Sequence, residues 1–348
     1  MPRVLWVSRP APSPMGQEMY EAQARAALRE QDASGFSFED VVVRSVRSHE
    51  PGDLRLPSGL LARAPQSLQH AVTHVAYPPH DLAHRWNVRL PAARRDIVTI
   101  HDAAPLRYDD EGEVPPGLHA LSQQSIGAIC PSEFAAREAQ EVLGVRRTWV
   151  APAGVERRFF DAAPASAEVL QQLGIDAPYV LHAQGATRRK NLLALAGAWP
   201  AVHAEHPDLL LVLTGPPDDR RTALFADLPG TRLVGRVESD QMPSLVAGAL
   251  AVVIPSTYEG FGLPVLEAMA AGTPTVVANA ASLPEVAGDA ARLVEPHADS
   301  VAAGLLDVLS DSAAAAELKR RGLLRAATFT WAATAQAHLR AYREALES

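Results

Sequence analysis

The chain lacks the features of a secreted or membrane-spanning protein. It is 348 residues long and has one cysteine, Cys130, which excludes an internal disulfide framework and is typical of a reducing compartment. Its longest apolar run, residues 245–254, is too short for a bilayer, which requires ~20 apolar residues. The apolar stretch at the N-terminus is too short for a signal peptide. We therefore expect a cytoplasmic location, with peripheral contact at the inner face of the membrane at most.

Positive charge is scarce as well. The net charge is -8 at pH 7, and lysine occurs only at Lys190 and Lys319. Binding to nucleic-acid phosphates needs a surface dense in lysine and arginine, so nucleic acid is excluded as a general partner. An acidic average still permits a local basic pocket for a phosphorylated ligand.

Several motifs of common nucleotide and metal enzymes are missing. No G-x-G-x-x-G follows the first predicted strand, no G-x4-G-K-[ST] occurs, and the histidines form no H-E-x-x-H pattern. These absences argue against dinucleotide dehydrogenases, P-loop enzymes and zinc hydrolases, respectively. The acidic run 109–111 is typical of a solvated turn. The sequence therefore predicts no metal site and no cofactor.

The sequence does contain an alternation of short β-branched runs and alanine-rich amphipathic segments. This alternation is typical of βαβ units in parallel sheets. We predict strands near residues 3–7, 39–46, 72–76, 96–100, 125–130, 148–151, 179–183, 209–214, 231–235, 251–255, 274–278 and 291–294. We predict helices near residues 17–30, 133–143, 190–206, 239–248, 263–271, 300–310 and 313–327.

The length of the chain is suited to two α/β domains. A stretch punctuated by proline and glycine, 152–178, lies between the two series of strands, and we place the domains at 1–158 and 159–329. The final helix, 330–348, can pack back on the first domain. Ligands in open α/β sheets bind beyond the carboxyl ends of strands, so the loop after the first strand and the loop 103–117 are candidate sites.

The string AVVIPSTYEGFGLPVLEAMAAGTP, residues 251–274, indicates a buried strand, a glycine-rich turn and a helix. Proline is favoured at the first position of a helix, which places the helix start at Pro264. The backbone N–H groups of Gly262 and Leu263 then point outward from a helix N-terminus. A phosphate is favourably bound at such a position.

Glu259 and Glu267 flank this turn and are close enough in sequence to face one ligand. Carboxylates accept hydrogen bonds from pairs of hydroxyls, which sugars and riboses offer. An alternative interpretation is that Glu259 is a solvated loop residue and that Glu267 only complements the helix dipole.

The whole string resembles the E-x7-E signature of retaining glycosyltransferases with the GT-B architecture, which are glycosyltransferase family 4 and its relatives. Residues 182–192, HAQGATRRKNL, resemble the strand-loop-helix of the same family with its Arg-Lys-Asn motif. The resemblance implies that Arg189 and Lys190 clamp a donor diphosphate and neutralise charge on the departing nucleotide. It also implies that Glu259 lies beside the sugar and Glu267 beside the ribose.

Other segments resemble the family in the same order along the chain. The strand DIVTIHD, 96–102, ends in His101, which the resemblance places near the donor sugar. Segments 211–215 and 235–237 resemble the loops that hold the nucleotide base. The implied catalytic residues are Arg189, Lys190, Glu259 and His101. The implied donor-binding residues are Gly16, Gly185, Gly215, Val237, Gly260, Phe261, Gly262, Leu263 and Glu267.

The resemblance also implies a fold and a reaction. The fold is α/β of the GT-B type, with two Rossmann-like domains whose parallel sheets face a central cleft. The reaction moves a hexose from a nucleotide-diphosphate sugar to a glycan, lipid-linked or small-molecule hydroxyl, with retention of configuration and without a metal. The motifs are most similar to branches that use GDP-mannose, although UDP-hexoses and deoxysugar nucleotides remain open.

Three other functions compete with this interpretation. A pyridoxal-dependent sugar phosphorylase needs a Schiff-base lysine, and only Lys190 and Lys319 exist, so we reject it. A nucleotide-sugar epimerase on the same fold would turn over without an acceptor. A non-catalytic nucleotide-sugar-binding protein would bind the donor without releasing nucleotide.

Overall fold

The computed structural model describes residues 1–10, 16–31, 35–61, 63–114 and 117–348. Most of the predicted loop after the first strand, and Pro115 and Pro116 of the predicted loop 103–117, lie outside these residues. The chain divides into two compact units. The N-terminal unit consists of Met1–Gly154 and Trp331–Ser348, and the C-terminal unit consists of Val155–Thr330.

The N-terminal unit contains a parallel sheet of seven strands in the order β3-β2-β1-β4-β5-β6-β7. Its strands are β1 (Arg3–Ser8), β2 (Ser37–Ser45), β3 (Leu54–Leu56), β4 (Leu82–Arg85), β5 (Asp96–Thr99), β6 (Gly127–Cys130) and β7 (Thr148–Val150). Its helices are α1 (Gly16–Arg29), α2 (Ser58–Leu61), α3 (Gln66–Ala76), α4 (Ala104–Arg107), α5 (Leu118–Gln123), α6 (Glu133–Glu141) and the C-terminal helix (Trp331–Glu347).

The C-terminal unit contains a second parallel sheet, with six strands in the order β10-β9-β8-β11-β12-β13. Its strands are β8 (Tyr179–Ala183), β9 (Leu210–Thr214), β10 (Thr231–Gly235), β11 (Ala251–Ile254), β12 (Thr275–Ala278) and β13 (Arg292–Val294). Its α-helices are α7 (Arg157–Phe160), α8 (Ala167–Gln172), α9 (Leu192–Glu205), α10 (Asp219–Phe225), α11 (Met242–Gly248), α12 (Leu263–Ala270), α13 (Leu283–Ala287), α14 (Ala298–Ser310) and α15 (Ser312–Ala326).

Both strand orders are those of doubly wound sheets with helices on both faces. Central strands of such sheets are buried on two sides, which explains continuous apolar runs such as AVVI in β11. In the C-terminal unit, Leu195 and Trp199 of α9 pack with Leu211 of β9 and Leu305 of α14 in one core. The strand order reverses between β8 and β11, and ligands of this class of sheet bind at the carboxyl ends of strands at such a switch point. None of the described helices is long and apolar enough to cross a bilayer.

The predicted strand at 72–76 is wrong, because these residues form the second half of α3. Its β-branched residues favour a strand, but the buried positions Gln69 and Thr73 lie one helical turn apart. The Gln69 amide donates to the carbonyl of Ala64, and the Thr73 hydroxyl lies 3.1 Å from the carbonyl oxygen of Ala92. Polar residues therefore form the buried face of this helix, and a search for an apolar stripe does not detect it.

A buried cluster of polar aromatic residues joins the C-terminal helix to the sheet of the N-terminal unit. The Tyr342 hydroxyl accepts a hydrogen bond from Trp6 Nε1 (3.2 Å) and lies 2.8 Å from His84 Nδ1. The other ring nitrogen of His84 lies 2.8 Å from the hydroxyl of Thr99. Burial, with His338 nearby, holds the pKa of His84 well below its usual range, so the ring is neutral at pH 7.

Replacing Tyr342 with Phe should destabilise the N-terminal unit more than the same change at Tyr77. Tyr342→Phe leaves the indole N–H of Trp6 and a ring nitrogen of His84 buried without partners. A buried unpaired group costs about 1–3 kcal/mol. Tyr77→Phe is a matched control, because it removes one hydrogen bond, to the carbonyl of Pro91. Urea unfolding followed by tryptophan fluorescence measures both, and an equal or smaller loss for Tyr342→Phe contradicts this reasoning.

Candidate functional site

The site residues predicted in the C-terminal unit lie at the carboxyl ends of neighbouring strands. Arg189 and Lys190 follow β8, and Glu259 follows β11, which pairs with β8 in parallel. These two strands flank the point where the strand order reverses. The loops that follow them therefore meet at the switch point of the sheet.

Two connections hold these loops together. Asn191 adopts a left-handed backbone conformation (φ 55°, ψ 42°), which asparagine tolerates better than most residues. Its side-chain amide donates to the carbonyl oxygens of Pro255 (3.0 Å) and Pro296 (2.9 Å). The backbone N–H of Thr257 donates to the carbonyl of Arg189 at 2.8 Å. The backbone thus fixes the Arg-Lys-Asn turn against the loop that carries Glu259.

Four side chains donate hydrogen bonds to the carboxylate of Glu259. Oε1 accepts from Lys190 Nζ (2.6 Å), from Gln184 Nε2 (2.8 Å) and from Ser256 Oγ (2.9 Å). Oε2 accepts from Arg189 Nη1 (2.6 Å). Glu259 is only 6% exposed, so this carboxylate and its two cations form a nearly buried charged cluster.

The charge of Glu259 is stabilised by this cluster. Burial by itself raises the pKa of a carboxyl group, but the charges of Lys190 and Arg189 and the hydrogen bonds from Lys190 and Ser256 outweigh it. The net result is a pKa of about 2 for Glu259. Glu259 is therefore ionised at neutral pH and acts as the internal counter-ion of both cations.

The glycine-rich turn after Glu259 leads into α12. Gly262 has φ +108°, and a Cβ there would lie 2.8 Å from Cδ2 of Leu283, so glycine is required on both counts. The Ser282 hydroxyl, which is buried, lies 2.8 Å from the Glu259 carbonyl oxygen and 2.7 Å from that of Phe261. The helix begins at Leu263, one residue before the predicted Pro264. The first N–H groups of a helix have no partners within it, so this end can bind an anion.

Glu267 lies in the second turn of α12 and is half-buried. Burial, and to a smaller extent the charge of Glu156, raise the pKa of Glu267 to about 7, while Arg158 opposes the shift. Arg158 is itself bonded to Glu156 Oε1 (2.7 Å) and to the carbonyl of Ser239 (2.6 Å). Across the described part of the chain, no side-chain hydrogen bond to Glu267 is formed. Its carboxylate can therefore accept hydrogen bonds from a ligand.

The other predicted donor contacts in this unit lie at the ends of β8, β9 and β10. Gly215 has φ +119° and donates its N–H to the carbonyl of Gly235 at 2.8 Å. Val237 follows β10 and is half-buried. Gly185 follows β8, and a Cβ placed on it would meet no atom within 4 Å. All three lie at the same edge of the sheet as Glu259.

Two predicted site residues, His101 and Gly16, belong to the N-terminal unit. His101 follows β5 and lines a cavity of about 300 Å³ that Trp86, Asn87 and Asp102 also line. Burial lowers the pKa of His101 to about 4, so its ring is neutral at pH 7. Gly16 is the first residue of α1 and has φ +36°. Within the described ranges, no group of three or more His, Cys, Asp or Glu residues is placed to hold a metal ion.

Sequence reasoning assigned no role to several residues that shape the site. Gln184 and Ser256 bond to the Glu259 carboxylate, and Asn191 and Ser282 fix the surrounding backbone. A signal was available for two of them, because Gln184 and Ser256 are polar residues within two positions of the ends of buried strands. The role of Ser282 could not be found this way, because its contact depends on how α13 packs.

Comparison with known proteins assigns the C-terminal unit to a family. Residues 167–325 match the family described as "Glycosyl transferases group 1". The C-terminal unit belongs to this family. The resemblance predicted from the E-x7-E string is therefore confirmed for these residues.

Two relatives are similar to parts of the chain. The O-antigen chain mannosyltransferase B of Escherichia coli is 36% identical over 175 residues, covering 47% of this chain and 45% of the relative. The D-inositol 3-phosphate glycosyltransferase of Acidothermus cellulolyticus is 29% identical over 288 residues, covering 75% of this chain and 63% of the relative. The chain thus spans less than two thirds of either relative.

A solved structure shows the fold over almost the whole chain. HepE of Anabaena, in complex with UDP and glucose, has a TM-score of 0.74 at 18% identity and covers 99% of this chain and 100% of its own. Such a likeness at low identity shows the fold alone. The predicted α/β class and GT-B fold, with two Rossmann-like units, are confirmed.

Glu259→Gln should destabilise the C-terminal unit at pH 7 and progressively less in acid. The variant leaves two nearly buried cations without their counter-ion, and breaking such a pair costs about 3 kcal/mol. The pKa of Glu259 is depressed from its ordinary value of 4.5 to about 2, so its stabilising contribution is complete above pH 4.5. That contribution is lost as the pH falls toward 2.

Urea unfolding of the native protein and the variant between pH 7 and pH 3 measures the difference in the free energy of unfolding. Glu238→Gln, at an exposed position after β10, is the control and should behave as the native protein. A difference that is absent at pH 7, or that is constant over this range, contradicts the counter-ion role.

Proposed function

We propose that the protein is a retaining glycosyltransferase that moves a hexose from a nucleotide-diphosphate sugar to a hydroxyl acceptor. The observation that carries this proposal is the cluster of Arg189, Lys190 and Glu259 beside the start of α12. It combines two cations, a carboxylate and a helix N-terminus at the carboxyl end of a Rossmann-like sheet. Membership of the C-terminal unit in the glycosyl transferases group 1 supports the same reaction.

The charges of the site suit the cleavage of a sugar–phosphate bond. Negative charge develops on the departing diphosphate, and Arg189, Lys190 and the N-terminus of α12 would stabilise it there. Donors that are held in place before the reaction need no reorganisation, which makes this electrostatic term large. The same groups can supply what a divalent metal supplies elsewhere, and we propose that turnover is metal-independent.

Retention follows if the leaving phosphate deprotonates the acceptor hydroxyl on the face from which it departs. No separate protein base is then required. His101 is neutral at pH 7, so it can exchange a hydrogen bond with a sugar hydroxyl without adding charge. We propose this positioning role for it, together with a donor contact at Gly16.

The remaining donor contacts follow from the positions of the residues. We propose that Glu267 binds the ribose, because it is half-buried and its carboxylate accepts no side-chain hydrogen bond from the described residues. Glu259 would bind a sugar hydroxyl through Oε2, which among the described residues is bonded only to Arg189. Gly185, Gly215 and Val237 would contact the nucleotide, and Gly260, Phe261, Gly262 and Leu263 would present backbone to the diphosphate and sugar.

GDP-mannose is the donor that we propose first, because a mannosyltransferase is among the relatives with the higher identity. UDP-glucose is the main competitor, since HepE was solved with UDP and glucose. We propose a glycan, lipid-linked or small-molecule acceptor. The single cysteine supports a cytoplasmic location, with membrane contact at most peripheral.

A panel of nucleotide sugars tests the function, because a ligand that binds the native state raises the melting temperature. We expect one donor to do so and to release nucleoside diphosphate in the presence of an acceptor hydroxyl, even with EDTA. Arg189→Ala and Lys190→Ala should each lower this turnover about 10²-fold, as for loss of one transition-state donor.

Lys319→Ala and Arg320→Ala are the matched controls on the exposed face of α15 and should keep native rates. Near-native rates for both Arg189→Ala and Lys190→Ala would show that the diphosphate lies elsewhere. Turnover without an acceptor that leaves the nucleotide on the sugar would identify an epimerase. Binding without turnover would identify a binding protein.

Glu267→Gln should weaken the binding of the donor and of the free nucleoside diphosphate together, because both carry the ribose. Loss of hydrogen bonds to a carboxylate suggests about 1–3 kcal/mol. Since the pKa of Glu267 is about 7, the native carboxylate is protonated in acid and becomes a poorer acceptor. Affinity of the native protein should therefore fall, relative to the variant, as the pH drops from 8 to about 6.

Calorimetric titration with the nucleoside diphosphate at several pH values measures this. Comparison with Glu267→Gln removes the titration of the phosphate itself from the result. Glu168→Gln, at an exposed position in α8, is the control. A ratio of native to Glu267→Gln affinity that stays constant with pH would place the ribose away from Glu267.

A further inference from the structure

Gln184 contacts the charged cluster of Arg189, Lys190 and Glu259 through the Glu259 carboxylate. It directly follows β8, is 7% exposed, and donates from its side-chain amide to Glu259 Oε1 at 2.8 Å. Its amide oxygen lies 3.1 Å from the hydroxyl of Ser256, which is itself 2.9 Å from the same Oε1. Two neutral side chains therefore hold one oxygen of the carboxylate in a fixed position.

The backbone of Gln184 is held as firmly as its side chain. Arg221, in α10, is 3% exposed and donates from Nη2 to the carbonyl of Gln184 and from Nη1 to the carbonyl of Thr214, both at 2.8 Å. This guanidinium lies against Gly215, where a Cβ would be 2.9 Å from Nη1. Arg221 thus fixes the ends of β8 and β9 relative to each other.

The distribution of hydrogen bonds over Glu259 leaves its two oxygens unequal. From the described residues, Oε1 accepts three hydrogen bonds and Oε2 accepts one, from Arg189. Each oxygen of an ionised carboxylate offers about two acceptor positions, so Oε1 is fully occupied and the remaining position lies on Oε2. Any group that fixes Oε1 therefore determines which oxygen faces a ligand.

The neutral partners of Glu259, Gln184 and Ser256, contribute most to its orientation when an anion is bound. A diphosphate attracts Arg189 and Lys190, and this attraction weakens their hydrogen bonds to the Glu259 carboxylate. Gln184 and Ser256 have no charge for the diphosphate to attract, so they keep Glu259 in place. Their contribution should therefore appear in the reaction and not in the binding of the nucleotide.

We propose that Gln184 is a positioning residue, fixed by Arg221, that orients Glu259 so that Oε2 accepts a hydroxyl of the donor sugar. This inference rests on the proposed function. A purely structural role for Gln184 would lower stability and all activities together. An orienting role lowers the turnover number and leaves binding of the nucleoside diphosphate unchanged.

Gln184→Met and Gln184→Glu test the proposal in the full-length protein. Methionine is similar in size but donates no hydrogen bond. We expect Gln184→Met to lower kcat about 10- to 100-fold, the effect of losing a hydrogen bond to a charged group. The Kd of the free nucleoside diphosphate should change less than about twofold. Gln172→Met, on the exposed face of α8, is the matched control and should leave both quantities unchanged.

Gln184→Glu gives a signature that a folding defect cannot give. An ionised carboxylate at position 184 would repel Glu259, whereas a protonated one can donate its O–H as the amide does. The charged and titratable groups around it are Glu259, Lys190, Arg189, Arg221 and His182. Burial lowers the pKa of His182 to about 3, so this ring stays neutral. Burial and Glu259 favour the protonated form of the new carboxyl group, and the three cations oppose it. We expect kcat of this variant, relative to the native enzyme, to rise as the pH falls from 8 to 6.

Arg221→Lys tests the second step, because lysine keeps the charge but lacks the planar pair of donors that reaches both carbonyls. Arg221→Lys should lower kcat, as Gln184→Met does. The fold-decrease in kcat of the double variant, Gln184→Met with Arg221→Lys, should be smaller than the product of the two single fold-decreases, because both residues act through Glu259.

The outcomes separate this inference from the proposed function. Suppose that the native protein transfers sugar. An unchanged kcat in Gln184→Met then overturns the inference and leaves the proposed function standing. So does a ratio of Gln184→Glu kcat to native kcat that does not change with pH. Equal losses in kcat and nucleotide affinity show a structural role and also overturn it. If the native protein transfers no sugar from any nucleotide donor, both proposals fail. A kcat loss with intact nucleotide affinity and a pH-dependent Gln184→Glu ratio supports the inference.

Discussion

The carboxylate of Glu259 neutralises two cations that belong to a different loop of the same sheet. Arg189 and Lys190 follow β8, whereas Glu259 follows β11, and all three side chains are largely removed from water. A charge in such a place is tolerated only when it is paired and hydrogen-bonded. The bonds of the left-handed Asn191 and of Thr257 fix the two loops around this pairing.

The same pairing explains how a basic site arises in an acidic protein. The net charge is -8, yet the site concentrates positive charge at one edge of one sheet. The helix α12 adds the partial positive charge of its N-terminus. Glu259 neutralises these cations in the structure. Under the proposed function, a bound diphosphate would take over part of that role, and the free and the occupied site would differ in the anion that the cations contact.

The sequence predicts the local parts of this site better than their assembly. The E-x7-E string and the Arg-Lys-Asn turn are each contiguous, so their strand-loop-helix conformations follow from patterns within a few residues. Their pairing depends on β8 lying next to β11, and strand order is not encoded locally. The strand β4 was missed for a related reason, because His84 and Arg85 look polar and are buried only through partners from distant segments. Gln184 shows the same limit, since its role depends on a residue far along the chain.

The two pieces of the N-terminal unit have a consequence for biosynthesis. The first 154 residues leave the ribosome before the whole C-terminal unit, yet their core includes Tyr342 and His338 from the segment that follows that unit. At the usual rate of translation, the intervening segment takes about 10–40 s to synthesise. During that interval Trp6 and His84 have no partner from the last helix. The C-terminal unit, whose residues are contiguous, can fold first, and the N-terminal unit is completed only after residues 331–348 have been synthesised.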